Sequence, residues 1–144
     1  MKKKALVLLA VLVIASLGFA SVSSADSAKG TGTLEAQGDG LAGLHGTGWV
    51  SLSGNGVLWV KGAEHIVVEG QGHKKAFPDG WTEYIGFDGT ARIRGQCVSV
   101  ILAGENVNLY AIGSGRAILW GEGTYEINGL IAGAWSETIK ILSY

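Results

Sequence analysis

Three histidines, five tryptophans and one cysteine carry most of the chemical potential of this 144-residue chain. His45, His65 and His73 are considered first as metal ligands, because neutral imidazole binds Zn²⁺ and Cu²⁺. A hairpin centred on Gly54-Asn55-Gly56 would set His45 directly opposite His65, close enough to share an ion. Two imidazoles lack the third fixed ligand of a metal site, so they are minor candidates and no cofactor is expected. In the same hairpin Trp49 and Trp59 become diagonal neighbours, roughly 7–8 Å apart. Together with Trp81 they are the candidate binding residues, able to stack on sugar rings or anchor a partner protein. The competing account is ordinary cross-strand packing, since tryptophan suits any pleated surface.

Nucleophilic catalysis has no support in the spacing of serines and histidines, and no catalytic residue is assigned. Gly30-Thr31-Gly32 and its copies resemble phosphate cradles only superficially, because no helix N-terminus follows them. Asp39, Asp79 and Asp88 do not form the repeated carboxylate pattern of calcium-binding β-rolls. Cys97 has no intramolecular partner; it is expected as a small buried apolar residue, with pairing to a second chain as the alternative.

The elements that must position these residues are announced by glycine. Gly30, Gly38, Gly46, Gly54, Gly62 and Gly70 recur every eight residues, and Gly86, Gly95, Gly104, Gly113, Gly121 and Gly129 continue the beat at eight or nine. Between them aliphatic residues come in pairs two apart: Leu34/Ala36, Ala42/Leu44, Val50/Leu52, Leu58/Val60 and Ile66/Val68. Side chains two apart share one face of a strand, so these pairs are expected to point into a core. Asn55-Gly56, Pro78-Asp79-Gly80 and Asp88-Gly89 are hairpin signals, because Asn, Asp and Gly tolerate positive φ. The hairpin at Asn55 matches Leu52 with Leu58 and Val50 with Val60. The one at Pro78 matches Phe77 with Trp81 and Lys75 with Glu83, and a two-residue turn at Glu105-Asn106 matches Leu102 with Leu109. The fold class expected is all-β, an antiparallel meander of short strands closed as a small barrel or sandwich. A β-solenoid with eight-residue edges and glycine corners fits the same beat and is the alternative.

Residues 1–25 read as an export signal: Lys2 to Lys4, an apolar run from Ala5 to Ala15, and small residues Ser23-Ser24-Ala25 before Asp26. Residues 26–144 then form a single glycine-rich repeat domain. The formal charge is −1, and loss of the leader lysines makes the remainder more acidic. That balance excludes the basic footprint of a nucleic-acid binder. A membrane-spanning β-barrel is disfavoured by Glu35, His65, Lys75 and Arg92 on the outward face, which are costly in hydrocarbon; membrane contact is expected only through the leader. The sequence therefore points to an exported, non-enzymatic β-repeat protein: a structural or surface component, periplasmic, cell-surface or extracellular, with copies of itself as partner. The alternative is a β module that binds glycans or a partner through exposed tryptophans.

Overall fold

The computed structural model describes residues 32–136 and 140–144; the expected leader, 1–25, and its cleavage site lie outside them. The described residues form strands β1 (Gly32–Lys61), β2 (His65–Ala76), β3 (Thr82–Ile127), β4 (Ile131–Ala134) and β5 (Lys140–Ser143), all antiparallel and in one sheet, with no helix. The all-β antiparallel expectation holds. The strands, however, are not short: β1 has 30 residues and β3 has 46.

Long strands follow from a single reversal. At Pro78-Asp79-Gly80 the Phe77 N–H donates to the Trp81 carbonyl (2.8 Å), and the Asp79 carboxylate accepts from the Trp81 N–H (3.2 Å). Lys75 faces Glu83 as expected. From this apex one ladder runs outward through Ala76↔Thr82, His65↔Arg94 and Lys61↔Ser99 to Leu34↔Ile127. Nearly all of the described chain is thus one hairpin.

That hairpin is wound upon itself. Ala111 pairs with both Leu34 and Val50 of β1, and Leu109 pairs with both Ala36 and Leu52. Because 34 and 50 flank the same β3 residue, β1 passes the same place after sixteen residues, two glycine-bounded edges later. The sheet is not closed into a barrel; it advances by two strands per turn as a coil of the hairpin's two legs, with β2 at one end and β4 and β5 at the other.

Glycines mark the corners. Gly38 opposes Gly123 and Gly48 opposes Gly113. At Gly48, φ is +134°, and an added Cβ would run into the Ile112 carbonyl and lie 2.9 Å from the Gly113 Cα. Only residues without Cβ let two strands bend together this closely. The change of beat also acquires a cause. Over 86–113 glycines on β3 recur every nine residues, whereas those on β1 recur every eight. The ladder absorbs the extra residue once per edge: between Gln71↔Asp88 and His73↔Ile85, between His65↔Arg94 and Lys61↔Ser99, and between Asn55↔Glu105 and Ser53↔Asn108. Asn106, at the third, has φ 52°, the left-handed conformation that G1-type β-bulges use.

Three expected turns are therefore corrected. Asn55 is an exposed corner residue inside β1, paired with Asp88 and Glu105; Asp88-Gly89 is a corner inside β3, with Gly89 paired to Gly54 and Gly70; and Glu105-Asn106 is a bulge inside β3. Val50 faces Ile93 and Ala111 rather than Val60, Leu52 faces Ala91 and Leu109 rather than Leu58, and Leu102 faces Ala42 and Leu58 rather than Leu109. Every such exchange swaps one core-facing residue for another, so an even-period pattern cannot tell them apart. The inward assignment itself holds: Leu34, Ala36, Ala42, Leu44, Val50, Leu52, Leu58 and Val60 all join one buried cluster with β3 residues, and Val68 packs at its margin. Ile66, at the coil's end, is 38% exposed.

Candidate functional site

The three candidate tryptophans divide between two sites. Trp49 faces Arg94 and Ile112 and meets Tyr110 edge-on, ring centroids 6.2 Å apart at 72°. Trp59 stacks on Phe77 (5.4 Å, 25°) and meets Trp81 edge-on (6.3 Å, 79°). Trp49 and Trp59 are not neighbours, because ten residues place them on successive edges of the coil.

The Trp59 group has a structural account. Leu41, Ile101, Ala103 and Ile118 form a second buried cluster, with Trp59, Trp81 and Trp120 packed against it. These residues alternate with core residues such as Ala42, Val100 and Leu102, so they lie on the outward face of their edges. Lys61 Nζ lies 5.9 Å from the Trp81 ring and Lys75 Nζ 5.1 Å from the Phe77 ring, giving modest cation–π attraction. Phe77 and Trp81 are the residues that close the apex turn, so the cluster ties the apex to the sheet. The Trp59 Nε1 is buried, with no hydrogen-bond acceptor among the described residues.

The histidines do not converge. His45 faces Ser99 and Arg116, while His65 faces Arg94 and His73 faces Ile85. The expected His45–His65 pair is thus absent, for it depended on the Asn55 hairpin. Among the described residues no three His, Cys, Asp or Glu side chains form a metal-binding group. His45 Nδ1 instead lies 2.7 Å from the Ser99 hydroxyl. Burial, and secondarily the Arg116 guanidinium, hold its pKa below the ordinary 6.5. A general base must become imidazolium as it takes a proton, and a neighbouring cation opposes that step. Cys97 is exposed rather than buried, lying in the stretch of β3 where an extra residue is accommodated between Arg94 and Ser99.

Sequence reasoning missed the other outward face. Three adjacent segments set Glu35, Tyr110 and Ser51 in one cross-strand row, and Gln37, Asn108 and Ser53 in the next. These six side chains line a shallow cleft of about 170 Å³, floored by Ala36 and Leu109. The alternation predicted that Glu35 faces outward, but only the winding brings the 108–110 segment between residues 35 and 51. Arg92, opposite Ser51, makes a long, exposed ion pair with Glu69 (3.8 Å), a contact of little energetic weight.

No protein-family model, curated protein or solved structure matches this chain.

Proposed function

We propose that this chain is an exported, non-enzymatic β-repeat protein that serves as a structural or surface component of the cell envelope or extracellular matrix and associates with copies of itself. In this reading the two edges of each turn pack face to face as a flattened sandwich, and copies meet at the ends of the coil.

The observation that carries it is β2. Every residue of this strand except Val68 is exposed. Among the described residues β2 pairs along one edge only, with β3. Its other edge presents amides and carbonyls to which a further strand can add. Ile66 and Val67, 38% and 49% exposed, make its first half apolar, while Lys74 and Lys75 blunt the second half. That arrangement favours limited, reversible association over aggregation. Sedimentation velocity of the purified protein is expected to show a concentration-dependent oligomer, and V67K is expected to shift it to monomer with the fold unchanged by circular dichroism. A protein that remains monomeric at every concentration refutes the reading.

A second reading, a carbohydrate- or partner-binding module, draws support from the Trp49–Tyr110 pair beside the polar cleft.

A further inference from the structure

We infer that the cleft between Glu35, Gln37, Ser51, Ser53, Asn108 and Tyr110 is a saccharide subsite with a preference for a sugar carrying a free amino group. The inference rests on the second reading above and is independent of self-association.

The cleft is the size of a single sugar ring. About 170 Å³ lies well under the roughly 300 Å³ at which drug-sized pockets begin, so the cleft holds one ring of a longer ligand rather than a cofactor. It is also open along the sheet surface, which leaves room for an oligomer to continue past it.

The lining supplies two amides, two serine hydroxyls, a phenol and a carboxylate, the mixture of donors and acceptors that ring hydroxyls require. Tyr110 is half-buried and braced edge-on by Trp49. It therefore offers a fixed aromatic wall at small entropic cost, since its rotamer is already restrained by packing.

Glu35 faces Glu126 directly across the ladder. Like charges opposite each other on adjacent strands are destabilising, so a cation seated at that end of the cleft is favoured twice, by attraction and by relief of repulsion. A protonated amine on the sugar meets both conditions, and a neutral hexose meets neither.

The test uses the whole protein and two probes of equal length, a glucosamine hexamer and cellohexaose, in titration calorimetry at low ionic strength. Wild type is expected to bind the glucosamine hexamer at least tenfold more tightly than cellohexaose. E35Q is expected to remove that preference, and Y110A to weaken the glucosamine hexamer at least tenfold. S51Y fills the cleft with a residue suited to a strand, so it is expected to block binding even if Y110A misfolds. Absence of binding by the wild type overturns the inference, as does binding that survives both Y110A and S51Y. Of these two outcomes, binding that survives both variants keeps the second reading and overturns only this site, whereas absence of wild-type binding removes the support for both.

Discussion

Replacing single glycines with alanine separates corner geometry from mere glycine content. At Gly48, φ is +134°, and a Cβ would press on the Ile112 carbonyl and the Gly113 Cα. A side chain held in that backbone region costs of order 1–3 kcal/mol. Relieving the collision also means parting two strands, at about 1 kcal/mol for each ladder hydrogen bond lost. The expected total for G48A is about 4 kcal/mol. Gly86 has φ +67° but nothing within 4 Å of its Cβ position. There the left-handed penalty of about 1–2 kcal/mol is partly offset by a less flexible unfolded chain, worth about 0.4–1 kcal/mol, so G86A should cost about 1 kcal/mol. Gly43 has no positive φ and would place a Cβ 3.4 Å from Ile101 Cγ1, an ordinary contact. G43A should be neutral or stabilising by up to about 1 kcal/mol. For a domain of this size 1 kcal/mol corresponds to roughly 4 °C in Tm. Differential scanning calorimetry should therefore order the variants G43A, G86A, G48A, the last about 15 °C below wild type. If G48A melts no lower than G86A, the corners are not closed by strand contact and the coil argument is wrong.

Two further outcomes are expected. Because the folded state holds the His45 pKa below the unfolded 6.5, the unfolded chain binds more protons as pH falls from that value towards the folded pKa. Stability associated with neutral His45 is complete above about 6.5 and declines below it; H45Q should flatten that part of the Tm–pH curve, and an unchanged curve would refute the assignment. The Asp39 carboxylate accepts the Asn106 N–H at 2.8 Å and so pins the third irregularity of β3. D39A should lower stability by about 1 kcal/mol in urea unfolding, with the m-value unchanged; no change in the midpoint would mean the bond contributes nothing.

Which residues face inward was legible in the sequence, because alternation depends on local geometry alone. Leu34 through Val60 were assignable without knowing any partner. The apex at Pro78 was legible for the same reason: its turn residues act within a few positions. The partners of Val50 or Leu102 were not, since an eight-residue beat offers several registers that all match apolar with apolar. The distinguishing mark was the change from eight to nine between Gly86 and Gly113. It shows that the second leg carries more residues per edge than the first, which a meander of independent hairpins has no reason to do. The cleft at Tyr110 stayed hidden because it unites residues 35, 51 and 110, and that meeting exists only after winding.

The topology has a consequence for a nascent polypeptide. Leu34 finds its neighbours at Ala111 and Ile127, so the first leg emerges with nothing to pack against until most of the molecule has been made. The apex residues, by contrast, meet across three intervening positions and can start the process at once. Assembly is then expected to zip from the apex outward, each new pair closing only a short gap. Until Gly80 has appeared, the growing chain has none of its native partner strands, because among the described residues β1 and β2 both pair only with β3.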